Sequence, residues 1–253
     1  MRISRKFVVP AGVAVMLSAC GGSPAGGGSA ASASPAALPS GTEAVHLDPH
    51  DFTTAITNPW WPMAVGDRWS YTETDADGAE QRVEVTVLDE TQKVAMGIEA
   101  RVVHDQVTDH GAVVEDTRDW YAQDADGNIW YLGERTAEYE NGQLTSTEGS
   151  WEAGVDGAQP GIAIPAAPRP GLEYRQEYLK GQAEDAARVL STDEQAEVPT
   201  GHYTGVLMTR ETTPLEPDTT EYKFYARGIG EVMAVQTSGG TSTERLVRTT
   251  RSG

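Results

Sequence analysis

The sequence predicts an all-β, mainly antiparallel fold: a curved sheet or half-barrel with long loops and at most minor helices. Short segments alternate between apolar and polar residues, as in residues 81–88, where three valines share one face and polar side chains occupy the other. Turn signals that contain glycine, such as Asp75-Ala76-Asp77-Gly78, separate these segments. Asn141-Gly142 adds a strong hairpin signal, because both residues suit the positive φ angles of a type I′ turn.

The predicted strands run as successive hairpins from residue 67 to residue 249. A simple four-residue loop at residues 124–127 predicts that Trp120 lies opposite Tyr131 and that Tyr121 lies opposite Trp130. The two-residue turn at residues 141–142 predicts that Tyr139 lies opposite Leu144. The main strands are predicted at residues 67–74, 81–88, 98–107, 112–123, 136–140, 143–148, 205–212, 221–226, 231–237 and 243–249.

Two regions between these strands differ from them in composition. Residues 154–171 are rich in glycine and proline and predict a long loop, which Ile162 and Ile164 make ordered rather than disordered. Residues 172–195 carry leucines and alanines at helical spacing, but an internal glycine, two tyrosines and a valine favour strands. Strands are therefore the prediction for the second region.

The N-terminus has the layout of an export signal. Residues 1–19 begin with basic side chains and continue with an apolar run of 11 residues, shorter than the ~20 residues that span a bilayer as a helix. Leu17-Ser18-Ala19-Cys20 resemble the bacterial lipobox, which predicts cleavage before Cys20 and acylation of its sulfur. Two or three acyl chains together form a durable membrane anchor. Ordinary secretory cleavage, with Cys20 left as a free thiol, is the alternative.

The domain organisation follows from composition. Cys20 and the uncharged Gly, Ser, Ala and Pro residues up to position 42 predict a disordered tether, since they bury too little apolar surface to offset chain entropy. Residues 43–253 show no second composition break and predict a single β-rich extracytoplasmic domain. The predicted location is the cell envelope, lipid-anchored on the extracytoplasmic side of a bacterial membrane.

Charge excludes one class of partner. Removal of residues 1–19 leaves 38 acidic and 16 basic side chains, a formal charge of −22. Such a surface repels phosphate backbones, so nucleic-acid binding is not expected. The acidity indicates either a preference for cationic partners or solubility outside the cytoplasm, and solubility is the simpler interpretation. The oligomeric state is left open by the sequence.

Several motifs carry a resemblance to known proteins. They are Asn58-Pro59-Trp60-Trp61-Pro62, Asp119-Trp120-Tyr121-Ala122-Gln123-Asp124, Gly127-Asn128-Ile129-Trp130-Tyr131-Leu132-Gly133-Glu134, Tyr174-Arg175-Gln176-Glu177-Tyr178 and Gly181-Gln182-Ala183-Glu184-Asp185. Over nearly the whole domain, the chain resembles an uncharacterised family of bacterial secreted proteins and lipoproteins. Residues 198–203 and 225–232 also resemble envelope proteins with a half-barrel like that of lipoprotein carriers. The first resemblance implies a fold and a location, and the second implies a curved sheet that holds an apolar ligand.

Three groups of residues are candidates for function. Trp60 and Trp61, between two prolines, and the isoleucines at 162 and 164 are candidates for an apolar binding site, although clustered tryptophans more often form a core. Asp124, Asp126 and Asn128 resemble the start of a calcium loop, but the spacing matches in part only, and ordinary turn chemistry is the stronger interpretation.

The third group is acidic. Glu177, Glu184 and Asp185 can supply paired carboxylates for general acid and general base catalysis at a glycosidic bond. No G-x-S-x-G nucleophile motif accompanies them. The sequence therefore predicts a membrane-anchored lipoprotein that is not an enzyme, requires no cofactor and binds a lipid or other apolar ligand. A structural or adhesive envelope protein and an acidic-site hydrolase are the alternatives.

Overall fold

The structure is a computed structural model that describes residues 37–238 and 240–252. The predicted export signal, Cys20 and residues 21–36 of the predicted tether lie outside the described residues. From Leu38 onward, the described residues belong to one compact unit.

Sixteen β-strands and one short 3-10 turn, Pro49–Asp51, make up the secondary structure of the described residues. The all-β prediction is confirmed. The strands are β1 Phe52–Thr53, β2 Arg68–Asp75, β3 Glu80–Lys93, β4 Glu99–Asp109, β5 Ala112–Asp124, β6 Ile129–Glu140, β7 Gln143–Ser146, β8 Trp151–Glu152, β9 Gln159–Ile164, β10 Glu173–Arg175, β11 Glu177–Tyr178, β12 Ala186–Val198, β13 Gly201–Thr212, β14 Thr220–Ala226, β15 Gly230–Ser238 and β16 Ser242–Thr250.

One antiparallel sheet contains all of these strands. Its main path runs β10-β12-β13-β14-β15-β16-β2-β3-β4-β5-β6-β9-β11, and β1, β7 and β8 pair with strands beside this path. The two end strands, β10 and β11, are separated in sequence by Gln176 alone. Because one residue spans less than ~4 Å, the sheet has to curve until its edges almost meet. The result is a nearly closed barrel with an inner and an outer face.

The two edges are fastened by Arg175. Its guanidinium donates to the Pro160 carbonyl of β9 at 2.8 and 3.2 Å, and to the Gly41 and Glu43 carbonyls at 2.6 and 2.8 Å. Its backbone N–H donates to the carbonyl of Pro39. Leu38, five residues before the predicted domain start, therefore already packs against the core, because the end of the tether lies across this closing seam.

The seam also needs a glycine. A Cβ on Gly161 would lie 2.4 Å from the backbone of both Arg175 and Gln176, closer than any side chain tolerates. Gly161 thus lets β9 approach the β10–β11 junction closely enough for the edges to join.

Two predictions about hairpins meet different outcomes. Tyr139 lies opposite Leu144 across the Asn141-Gly142 turn, in which both residues have positive φ, so that prediction is confirmed. The predicted pairing across residues 124–127 is wrong: Tyr121 lies opposite Tyr131, and Trp120 lies opposite Gly133. Asn128 belongs to the turn, since the backbone and side-chain N–H groups of Asn128 both donate to the Asp124 carboxylate, and the longer turn shifts the register.

Residues 154–171 are not simply a loop. β9 lies inside this stretch and pairs with β6 on one side and β11 on the other. The expectation of a long loop was wrong here because glycine is tolerated in a strand where a partner backbone approaches closely, and Pro160, which has no N–H to donate, stands near the start of β9. The prediction of strands over residues 172–195 is confirmed by β10, β11 and most of β12.

The Asn58-Pro59-Trp60-Trp61-Pro62 motif forms a plug that joins several turns of the sheet. The Asn58 side-chain amide donates to the carbonyls of Gly127 and Pro165, and its oxygen accepts the Trp60 N–H. The Pro59 carbonyl accepts the N–H of Gly228. All six tryptophans are buried in one hydrophobic core, as expected from their size.

Within the described ranges, no helix is long and apolar enough to cross a membrane.

Candidate functional site

The inner face of the sheet carries a chain of aromatic rings. The Trp61 ring lies between Tyr121 of β5, at 5.4 Å, and Tyr225 of β14, at 6.2 Å. Tyr121 stacks on Tyr131 at 5.0 Å, and Trp151 contacts Tyr131 edge-on at 5.3 Å. Because β5 and β14 stand far apart along the sheet, Trp61 brings the plug into contact with opposite parts of the curved wall.

Acidic side chains lie beside these rings on β5 and β6. Asp119 and Glu134 occupy opposite positions of neighbouring strands, and the Tyr131 hydroxyl donates to the Asp119 carboxylate at 2.7 Å. Like charges at directly opposed positions repel. Burial, followed by the negative charges of Asp119, Glu115 and Asp185, raises the pKa of Glu134 to about 8.

A second acidic pair lies at the seam. The backbone N–H groups of Gln176 and Glu177 both donate to the Asp185 carbonyl, which brings Glu177 and Asp185 together. Burial first, and the Asp185 and Glu134 charges second, raise the pKa of Glu177 well above its usual range. Burial and Glu211 raise the pKa of Asp185 to about 7, although a hydrogen bond to Thr213 works in the opposite direction.

A third group surrounds Lys223 of β14. Its ammonium lies 3.4 Å from Glu211, 3.5 Å from Glu221 and 4.0 Å from Glu231. Burial works to lower the pKa of Lys223, but the three carboxylates raise it well above the usual value, so the amine stays protonated. Burial also raises the pKa of Glu221 to about 8, and Lys223 partly opposes this shift.

These groups form one acidic interior. Raised pKa values at Glu134, Glu177 and Asp185 arise in part from one another, and Asp185 also interacts with Glu211 and Lys223. We call the set the inner acidic face. It consists of Asp119, Glu134, Glu177, Asp185, Glu211, Glu221 and Glu231.

Several buried polar atoms next to this face have no hydrogen-bond partner among the described residues. Two of them are the hydroxyl of Tyr174, a residue 1% exposed, and the indole N–H of Trp61, which is 8% exposed. Tyr174 lies close enough to Glu211 for that charge to raise the pKa of its hydroxyl. Buried polar groups are nearly always paired in folded proteins, so these two atoms suit hydrogen bonds to a bound molecule or ordered water.

The predicted apolar site residues all lie inside the packed structure. Ile162 and Ile164 are fully buried in β9 and pair with Trp130 and Ile129. Trp60 is buried, and the Arg227 guanidinium lies 3.8 Å above its ring. Of the four residues, Trp61 alone contacts the aromatic chain of the inner face.

The predicted metal-site residues form a turn. The Asp124 carboxylate accepts from the Asn128 backbone, the Asn128 side chain and the Trp130 indole at 2.7–2.8 Å. Asp126 is exposed to solvent, and the Asn128 side-chain oxygen accepts from the Ala166 N–H. The arrangement matches the turn interpretation, in which these oxygens serve backbone and indole donors. Over the described ranges, no group of three or more His, Cys, Asp or Glu side chains is arranged to hold a metal ion.

Sequence reasoning found Glu177 and Asp185 but not the rest of the inner acidic face. Glu184, named with them, lies apart: it is partly exposed and accepts the N–H of Gly181. One signal was available for the Lys223 group, since Glu221, Lys223 and Tyr225 alternate on one face of a strand. Alternation alone predicts that a charged face points to water, whereas curvature turns this one inward.

No protein-family model matches the chain, and no curated protein is similar to it at a significant level. A Bacteroides fragilis protein described as exported, with a YmcC-like fold, is similar in structure with a TM-score of 0.47 and 17% identity, covering 77% of this chain and all of that one. A Parabacteroides distasonis protein described as a lipoprotein gives a TM-score of 0.41 and 13% identity, covering 76% of this chain and 99% of that one.

Proposed function

We propose that this chain is a lipid-anchored protein of the cell envelope, held through Cys20 on the extracytoplasmic side of a bacterial membrane. We further propose that it binds a ligand on the inner face of its sheet and does not transform it. The export signal and the lipobox-like residues before Cys20 support the location. The curved sheet with two distinct faces supports a binding role, since the concave sides of curved sheets commonly enclose ligands.

One observation carries the binding proposal: the unpartnered Tyr174 hydroxyl and Trp61 N–H, both buried beside the inner acidic face. An unsatisfied buried polar group costs about 1–3 kcal/mol. A ligand that forms hydrogen bonds with both atoms recovers that free energy, which favours binding.

Native mass spectrometry of the protein purified from its own envelope tests this proposal. We expect a small molecule that travels with the protein and that Tyr174→Phe weakens by about fivefold, the value of roughly one hydrogen bond. Tyr203→Phe is the matched control, because its hydroxyl already donates to the Thr200 hydroxyl next to the turn between β12 and β13. A protein that carries nothing, and gains nothing when exposed to its envelope extract, indicates the structural or adhesive role instead.

A second candidate function, an acidic-site hydrolase, has one observation in its favour. Glu177 and Asp185 are adjacent, buried and raised in pKa, which suits a group that donates a proton near neutrality. Para-nitrophenyl glycosides assayed between pH 5 and pH 8 test it. Hydrolysis that is lost in both Glu177→Gln and Asp185→Asn, but kept in Glu184→Gln, supports an enzyme. No turnover, or turnover that survives all three substitutions, rejects it.

A further inference from the structure

The inner acidic face holds many more negative than positive groups. Lys223 contacts three of its seven carboxylates. Glu134, Glu177 and Asp185 form no salt bridge with any described basic side chain, although the positive charge of Lys223 lowers the pKa of Asp185 in part. Arg175, two residues before Glu177, donates its guanidinium N–H groups to backbone carbonyls at the seam. A buried carboxylate without a cation is costly unless it takes up a proton or a positive ligand.

Aromatic rings accompany these carboxylates. Tyr131 is hydrogen-bonded to Asp119, and the Trp151 indole interacts with Glu177. Aromatic faces attract cations through their quadrupole, most strongly where water is excluded. Aromatic rings that lie beside carboxylates favour the binding of protonated amines.

The Tyr174 hydroxyl is a second observation, independent of the carboxylates and the aromatic rings, that indicates a ligand. It is buried, has no partner among the described residues and lies beside Glu211. A tyrosine oxygen accepts hydrogen bonds, so it completes the coordination of an ammonium group that already pairs with a carboxylate.

The arrangement suits an organic cation better than a metal ion. A metal ion requires several ligand atoms converging on one point, and no such group of His, Cys, Asp or Glu is present in the described part of the chain. The carboxylates instead stand on several different strands around the curved wall, β5, β6, β11, β13, β14 and β15.

We infer that the inner acidic face binds an organic cation with one or more protonated amine groups, which its carboxylates, its aromatic rings and the Tyr174 hydroxyl hold together. This inference rests on the proposed binding function and names its ligand class. It replaces the lipid or other apolar ligand that the sequence predicted, because a wholly apolar molecule leaves these carboxylates uncompensated.

Isothermal titration calorimetry of the full lipidated protein in detergent tests this inference. The probe is 1,5-diaminopentane, its neutral isostere 1,5-pentanediol is the ligand control, and palmitate is the apolar comparison. We expect the diamine to bind and the diol not to bind. The affinity should rise about tenfold from pH 6 to pH 8, because carboxylates with pKa values of about 7 and 8 must lose a proton when the cation enters.

Matched variants locate the site. Glu177→Gln and Asp185→Asn should each weaken diamine binding at least tenfold at pH 8, whereas Glu197→Gln, the same charge change on the exposed side of β12, should leave it unchanged. Near-ultraviolet circular dichroism of each variant verifies the fold. Equal losses in all three variants indicate general surface attraction and overturn the inference.

The outcomes separate the two proposals. If palmitate or the diol binds, Tyr174→Phe weakens that binding, and the diamine does not bind, then the cation inference is overturned. The binding function stands in that case. No binding of any probe, together with a protein that carries no envelope molecule, overturns both.

Discussion

At the scale of single residues, Glu134 shows how position changes the chemistry of a side chain. It is half-buried opposite Asp119 on the neighbouring strand, and burial is the largest cause of its raised pKa. A carboxyl group whose pKa is higher in the folded than in the unfolded protein stabilises the fold at low pH. That stabilisation is lost as the pH rises from the unfolded value, about 4.3, through the folded value of about 8.

Glu134→Gln should therefore stabilise the protein only at high pH. We expect a gain on the order of 1–2 kcal/mol at pH 8, reduced from the full effect because the group is partly exposed, and no gain at pH 4. Urea denaturation at the two pH values measures it. Glu140→Gln, on the exposed end of the same strand, is the control and should change neither value. A gain of equal size at both pH values would mean that packing, and not charge, is responsible.

At the scale of elements, the seam between β10 and β9 depends on Arg175. Four of its hydrogen bonds end on backbone carbonyls, two on Pro160 and one each on Gly41 and Glu43. Those carbonyls lie on β9, at the end of the predicted tether and at the start of the predicted domain, so one side chain joins these segments to the sheet edge. A hydrogen bond from a charged donor contributes a net of about 1.5–3 kcal/mol to stability.

Arg175→Met should open this seam. We expect a loss of about 3 kcal/mol in the free energy of unfolding, together with faster amide hydrogen exchange in β10 and β9. Arg188→Met is the matched control, because Arg188 lies on neighbouring β12, is half-exposed and forms one ion pair with Glu173 at 3.2 Å. Exposed pairs of this kind contribute less than ~1 kcal/mol. Equal losses in the two variants would contradict a special role for Arg175.

At the scale of the whole molecule, acidic groups act together. Glu134 and Glu221, with pKa values of about 8, and Asp185, at about 7, each favour the protonated state in the folded protein. All three raised pKa values lower the free energy of unfolding as the pH rises, because folding disfavours the ionised form of each carboxyl group. Lys223 offsets part of this effect for its own three neighbours.

The free energy of unfolding should therefore fall by at least about 2 kcal/mol between pH 5 and pH 8. The sign follows from the raised pKa values: the unfolded chain ionises first, near pH 4, and the folded chain ionises only near pH 7–8. Urea denaturation of the full chain at pH 5, 6.5 and 8 measures the trend. Stability that stays flat or rises over this range contradicts the buried state of these acids.

The proposed location of the molecule depends on a residue outside the described range. Cys20→Ser should move the protein from the membrane fraction to the soluble extracytoplasmic fraction and abolish the incorporation of labelled palmitate, because an acylated cysteine is the predicted anchor. Ser18→Thr, which leaves the cysteine in place, serves as the control. Membrane association that survives Cys20→Ser contradicts lipid anchoring.

Local sequence was sufficient for much of this protein. Strand alternation and turn residues predicted most strands, and the Asn141-Gly142 hairpin was predicted in register, because a two-residue turn leaves little freedom in strand pairing. The prediction of an export signal and the lipobox resemblance, which the structure does not test, likewise rest on neighbouring residues. Glu177 and Asp185 could be named as candidates for the same reason, since they stand close together in the chain.

Tertiary structure alone decided the rest. Residues 159–164 form β9 only because β6 and β11 pair with its two sides, and glycine and proline there give no local strand signal. Glu134, Glu211 and Lys223 become interior groups only when the sheet curves and its edges meet at Arg175. Alternation predicts which residues share a face of a strand. It does not predict which of the two faces lies inside when the sheet closes. That choice depends on contacts between residues more than a hundred positions apart, which no local pattern contains.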